Sequence, residues 1–169
     1  MRILKNRICV LVFRADNLIT LRLCRWAEFV FTLWKRDVFS VNFKILCNQT
    51  DIEFECKKSS LLQVFINLIN NAVDAIEDLQ EKWIKLHIIL QDEQIVFTVM
   101  DSGKGVALEN QVKLFEPFFT TKDIGKGTGL GLSISRNIVE EHSGSLNYVN
   151  QMHHSCFLIT LPRLQKKSD

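Results

Sequence analysis

Gly125-Lys-Gly-Thr-Gly-Leu-Gly-Leu-Ser-Ile134 runs without a break into Ser-Arg-Asn-Ile-Val139, with four glycines at alternate positions 125, 127, 129 and 131. Glycine has no Cβ, so the backbone amides stay uncovered and positive φ is open to them, which suits a chain folding round phosphate oxygens. Beyond Gly131 the pattern turns helical, with Leu130, Ile134 and Ile138 four apart. The last glycines therefore open a helix whose unpaired N–H groups and dipole attract anions. On its own the stretch reads either as a phosphate cradle or as a mobile glycine loop without a ligand. No strand leads into it and no Gly-Lys-Ser/Thr closes it, so it is neither a dinucleotide fingerprint nor a Walker P-loop. The neighbouring segments decide.

Immediately upstream, Thr120 to Gly127 is polar and punctuated by glycine with no apolar period, and it reads as a mobile lid. Gln111 to Glu116 reads as a helical turn stopped by Pro117, with Phe115, Phe118 and Phe119 packing around it. Further back, Ile84 to Leu90 and Gln94 to Met100 form a hairpin round Gln91-Asp-Glu93. Ile95, Phe97 and Val99 share a face of its second strand, and alternation puts Asp101 on that same face, pointing into a pocket. Ser-Gly-Lys-Gly105 follows, which on its own reads first as a common turn and otherwise as one whose glycines let a ligand approach the backbone.

The other informative element is a helix from Leu61 to about Leu79, started by Ser59 or Ser60 as N-cap. It is apolar over most of its circumference, as in a helix buried on several sides. Against that background Asn67, Asn70, Asn71 and Asp74 are related by steps of three and four and make one polar stripe. Such a stripe is either a set of core amides bonded to neighbouring backbone or the wall of a site. Oxygen donors of this kind suit Mg²⁺. Before the helix, Phe43 to Cys47 and Ile52 to Cys56 read as two strands round a polar turn, the second with Ile52, Phe54 and Cys56 on its buried side. After the glycine-rich stretch the helix ends at His142-Ser-Gly144, and two strands follow, Ser145 to Asn150 and Cys156 to Leu161.

Residues 1 to 40 read as a poorly defined, weakly helical or mixed appendage, in which Trp26, Phe29, Phe31 and Trp34 call for cover. Residues 41 to 165 form the domain proper, and 166 to 169 a loose tail. A chain of 169 residues with 47% hydrophobic residues has enough for one real core. Its net charge of +2 carries no nucleic-acid signal. No run approaches the ~20 apolar residues of a membrane span, and the basic start lacks the small-residue cleavage site of a signal peptide. The 5 cysteines form no C-x-x-C pair, which favours reduced thiols and a cytoplasmic setting. His142 reads as a cap or a solvated side chain. His87, His153 and His154 have no carboxylate or cysteine at metal-site spacing.

Taken in order, these segments resemble the ATP-binding catalytic domain of sensor histidine kinases, in the superfamily that also holds DNA gyrase, Hsp90 and the MutL proteins. Gln63-Val-Phe-Ile-Asn-Leu-Ile-Asn-Asn-Ala-Val-Asp-Ala-Ile76 matches the N box and Asp101-Ser-Gly-Lys-Gly105 the first glycine box. Phe115-Glu-Pro-Phe-Phe-Thr-Thr-Lys122 matches the F box, and Gly127-Thr-Gly-Leu-Gly-Leu-Ser133 the second glycine box. The Thr-Thr-Lys form looks closest to kinases of the nitrogen-regulation type. The resemblance covers about Asn42 to Leu164. It implies an α+β two-layer sandwich, a mixed β-sheet with helices on one face, known as the Bergerat ATP-binding fold.

The resemblance also implies cofactors ATP and Mg²⁺. Asn71 would hold the metal, Asn67 would sit beside the phosphates, Asp101 would accept the adenine amino hydrogen, and Lys122 would reach the terminal phosphate. Gly127, Gly129 and Gly131 would wrap the phosphate chain, with Asp74, Gly103, Gly105, Phe115, Thr121, Thr128 and Leu130 completing the ATP site. Asn67 and Lys122 would be the catalytic pair. The family's phosphate acceptor is a histidine upstream of the N box, and no histidine precedes His87 here. The implied acceptor is therefore a separate histidine-containing dimerisation domain and, through it, a response regulator. A second departure is Met152-His-His-Ser155, where the family usually has glycine. Two other functions stay open on sequence: an ATP- or partner-binding module without complete catalysis, and a serine kinase of the anti-sigma-factor type.

Overall fold

The computed structural model describes residues 12–13, 19–22, 41–49, 52–122, 127–151 and 154–164. Expectations for the tail, for Trp26 to Trp34 and for the middle of the segment read as a lid fall on residues outside these. Eight strands and three helices are described: β1 (Val12–Phe13), β2 (Ile19–Arg22), β3 (Asn42–Cys47), β4 (Glu53–Cys56), α1 (Lys58–Ala75), β5 (Trp83–Gln91), β6 (Gln94–Asp101), α2 (Leu108–Gln111), α3 (Gly131–Glu141), β7 (Ser145–Gln151) and β8 (His154–Pro162).

Five strands form one mixed sheet in the order β3-β5-β6-β8-β7, with β3 parallel to β5 and the other pairs antiparallel. Helices α1 and α3 pack on one another, α1 against β5 and β6 and α3 against β7. This is the two-layer sandwich that the motif order implies. Its core forms because α1 presents Leu61, Val64, Phe65, Leu68, Ile69 and Ala72, all buried, to the inward rows of the sheet. Those rows alternate as pleating requires: Ile84, Leu86 and Ile88 on β5, then Ile95, Phe97 and Val99 on β6. Phe97 is the centre, with Phe65 at 5.0 Å and Phe54 at 6.1 Å between ring centroids in tilted, edge-on arrangements.

The pair read around the turn at residues 48–51 does not form a hairpin. Strand β3 goes to the edge of the large sheet, and β4 joins a second, three-stranded sheet in the order β1-β2-β4. Both strands carried the right period, but period does not name a partner; β3 finds its hydrogen bonds with β5, across the crossover that contains α1. Ile52, Phe54 and Cys56 are buried as read. A backbone bond from the Glu55 N–H to the Arg163 carbonyl, 3.1 Å, ties β4 to the end of β8. The described pieces of the N-terminal region are strands, not helix, because β2 completes the ladder along β4.

Helix α1 stops at Ala75, sooner than its apolar pattern suggests, although Ile76 beyond it is still buried. Its N-cap is Lys57, with no side-chain cap, and not Ser59 or Ser60. The Lys57 N–H donates instead to His142 Nε2 at 3.0 Å, and His142 Nδ1 lies 2.7 Å from the Ile138 carbonyl. His142 is thus buried, not solvated, and links the end of α3 to the start of α1. At the end of α3 the residue with positive φ is Ser143, at 55°, one position before Gly144. Gly144 is required for space, since a Cβ there would lie 2.3 Å from the Thr160 carbonyl oxygen.

Candidate active site

A cleft of about 530 Å³ opens between α1, the N-terminus of α3, the chain after β6 and residues 119–122. Its floor follows from α1, where steps of three and four bring Asn67, Asn70, Asn71 and Asp74 to one side of the helix, and all four line the cleft. Asn67 is committed at one end of its amide: Nδ2 donates to the Gly131 carbonyl at 3.1 Å and to Ser135 Oγ at 3.2 Å. Ser135 in turn donates to the Gly131 carbonyl at 2.8 Å. These bonds fasten the start of α3, and the glycine-rich chain leading into it, to the middle of α1.

At the other end of the cleft Asp101 continues the buried row of β6 and is 2% exposed. The Gly103 N–H donates to its Oδ1 at 2.8 Å. Burial raises the carboxyl from 3.8 to about 6, against the opposing effects of the Gly103 amide, a Ser155 hydrogen bond and nearby His154. A side chain at Gly103 would displace this carboxylate, because a Cβ there would sit 2.7 Å from Asp101 Oδ1. The following turn is pinned by Tyr148, whose hydroxyl accepts from the Val106 N–H at 2.7 Å, and by Gln111 Nε2 donating to the Val106 carbonyl at 2.7 Å. His154 Nδ1 lies 3.2 Å from the Gly103 carbonyl and its ring stands edge-on to Trp83.

The third wall comes from the phenylalanine segment. Phe119 lines the cleft, while Phe115 does not and is half-buried under the Arg136 guanidinium, 3.9 Å from the ring centroid. Phe118 is not a packing residue: it is 75% exposed with φ +67°. Its backbone turns there against Gly129, where an added Cβ would meet Phe118 backbone atoms at 2.4 to 2.7 Å. Gly129 itself has φ +67°, so the position excludes side chains both by conformation and by contact.

Lys122 closes the constellation. Its ammonium pairs with Asp74 Oδ2 and lies 3.3 Å from Asn71 Oδ1. The pair is partly solvated, with side chains 32% and 48% exposed. A cation therefore already rests on the amide and carboxylate oxygens of the α1 stripe, which fits the oxygen-donor chemistry of Mg²⁺. Among the described residues no group of three or more His, Cys, Asp or Glu stands ready to cage a metal. A metal here would thus draw further ligands from phosphate and water, as Mg²⁺ commonly does.

Of the residues singled out from sequence, Asn67, Asn71, Asp74, Asp101, Gly105, Thr121, Lys122, Gly127, Thr128, Gly129 and Gly131 meet on this cleft. Gly103, Phe115 and Leu130 stand outside its lining. The sequence reading missed Ser155, Phe157 and Leu132, which line it, and Ser135, which holds Asn67. Ser155 carries no local signal, and only the pairing of β6 with β8 brings it to the site. Met100 pairs with Cys156, so Ser155 falls beside Asp101, and alternation along β8 puts Ser155 and Phe157 on one face.

Residues 56–165 match the family model described as histidine kinase-, DNA gyrase B- and HSP90-like ATPase. Among curated proteins, the sensor histidine kinase FlgS of Helicobacter pylori is 49% identical over 86 residues, covering 49% of this chain and 22% of that protein. An NtrY-like sensor histidine kinase of Rickettsia felis is 38% identical over 112 residues, 66% of this chain and 18% of that one. The chain thus spans about a fifth of the length of these relatives. Among solved structures, the catalytic domain of histidine kinase ThkA aligns with a TM-score of 0.78 and 29% identity, over 87% of this chain and 98% of that domain. The same kinase, solved in complex with the response regulator TrrA, aligns with a TM-score of 0.74 and 27% identity over 86% of this chain and 42% of that one.

Proposed function

The chain belongs to the histidine kinase-, DNA gyrase B- and HSP90-like ATPase family, and from that membership we propose that it binds Mg-ATP and donates the terminal phosphate to a histidine on a separate dimerisation domain. The observation that carries this reading is the single cleft on which the asparagine stripe, Asp101, Lys122 and the glycines before α3 converge. Asp101, buried and rigidly bonded, accepts from the adenine amino group. The amides of Gly127, Thr128, Gly129 and Gly131, which line the cleft, and the N-terminus of α3 serve the phosphate chain. Asn71 supplies an amide oxygen to Mg²⁺, which when bound would neutralise charge on the transferring phosphoryl group. Lys122 reaches the terminal phosphate. Positioning and charge neutralisation are most of what phosphoryl transfer asks of a protein.

Transfer is favoured over hydrolysis by Asn67. Its Nδ2 is held by Gly131 and Ser135, and an amide has no basic site to activate water. ATP bound here is kept for an acceptor, which we place on a histidine, with a response regulator as the next recipient. The ThkA complex with its regulator supports that order of partners. The NtrY-like relative supports a kinase of the nitrogen-regulation type. A cytoplasmic setting fits a site that uses ATP; among the described residues no helix is long and apolar enough to cross a membrane.

The test is incubation with γ-labelled ATP, with and without a histidine-bearing dimerisation domain from one of these relatives. Acid-labile, alkali-stable label on the added domain, and none on the chain alone, is expected. Label on His142 or His87 of the chain alone, or acid-stable label on serine, would contradict the proposal.

A further inference from the structure

Lys122 has one seat in the structure and needs another to serve the proposed function. In the first, its ammonium rests on Asp74 Oδ2 and near Asn71 Oδ1. In the second, it reaches the terminal phosphate while Asn71 serves Mg²⁺. Two cations cannot share the Asn71 oxygen at close range without strong repulsion. We propose that Asp74 is a positioning residue that holds Lys122 in the first seat, so that the terminal phosphate must draw Lys122 off Asp74 as the metal takes Asn71. The inference rests on the reading of the cleft as a Mg-ATP site.

The setting of Asp74 supports this. It lies in the last turn of α1, which ends at Ala75 and has no basic residue in that turn. A carboxylate at a helix C-terminus is opposed by the helix dipole, whereas a cation there is favoured. Lys122, arriving from 48 residues along the chain, supplies the missing positive charge. Asn71 and Asp74 stand one turn apart on α1, so a single ammonium can touch both. The pair is partly exposed, so its hold is weak. Weak holding suits a contact that ligand must break on each cycle, since the site then discriminates by terminal phosphate without sacrificing much affinity.

Calorimetric titration of the whole chain, of Asp74→Asn, of Lys122→Met and of the double variant, with Mg-ATP and with Mg-ADP, tests it. Asp74→Asn should bind Mg-ATP roughly two- to fivefold tighter, the range expected of a partly solvated ion pair. That gain should disappear in the Lys122→Met background and be smaller for Mg-ADP, which lets Lys122 keep Asp74. Asp74→Ala should repeat the pattern, guarding against an effect peculiar to the amide. Weaker binding by Asp74→Asn would make Asp74 a ligand, and an equal gain with and without Lys122 would make it only a repulsive charge near the phosphates. Either result overturns the proposal while leaving the site reading intact. Absence of Mg-ATP binding by the unmodified chain overturns both.

Discussion

Burial raises the Asp101 carboxyl to about 6, so at neutral pH this side chain is held ionised in a place that disfavours its charge. The folded form takes up a proton more readily than the unfolded one, whose value is near 3.8. Stability from this group is therefore full below about pH 4 and is lost as pH rises through about 6. The difference corresponds to roughly 3 kcal/mol at ~1.36 kcal/mol per pH unit. Asp101→Asn keeps an acceptor for the Gly103 N–H and removes the charge. It should stabilise the fold by ~1 to 3 kcal/mol at about pH 8 and by almost nothing at about pH 4, read from denaturant unfolding at the two pH values. An equal effect at both would show that the carboxylate is not the source. Gly129 makes the opposite case: Gly129→Ala must hold φ +67° and displace the Phe118 backbone. It should lose ~1 to 3 kcal/mol of stability from conformation alone and most nucleotide affinity, measured by melting and by titration.

Helix α1 carries both the core and the site, and besides packing on α3 it is tied there by the hydrogen bonds of two side chains among the described residues. One is Asn67, bonded to Gly131 and Ser135; the other is His142, bonded to Lys57 and Ile138. His142→Ala leaves the Lys57 N–H without its acceptor and should cost ~1 to 3 kcal/mol, with Mg-ATP affinity changed little because His142 does not line the cleft. Loss of binding at unchanged stability would instead give His142 a part in the site. These elements also show what sequence could convey. The stripe of Asn67 to Asp74 was legible because polar residues at helical spacing stand out on an apolar helix. Asp101 was legible because it continues a row of alternate buried residues. The start of α1 was not, because its cap is a histidine 85 residues away. The partner of β3 was not legible either, because a local polar turn offered a hairpin while the actual ladder closes across α1. Ser135 escaped because a serine inside a helix carries no signal until its neighbour is known.

On the scale of the molecule, the cleft exists only when the helices and the sheet are assembled together. Asn71 comes from α1, Asp101 from the end of β6, Ser155 from the start of β8, and Lys122 and Gly129 from the chain between α2 and α3. No local segment holds two walls of the cleft, so adenine recognition and phosphate recognition should be lost together when the fold is opened. They should be separable by single substitutions while it stays closed. The most direct measurement is calorimetric titration of the chain with a non-hydrolysable ATP analogue, with Mg²⁺ and with chelator, repeated on Asn71→Ala and Asp101→Asn. Single-site binding is expected that is strengthened by Mg²⁺, loses that strengthening in Asn71→Ala, and is weakened in Asp101→Asn both with and without the metal. Binding that ignores Mg²⁺ and survives both substitutions, or no binding at all, would contradict the assignment of this cleft.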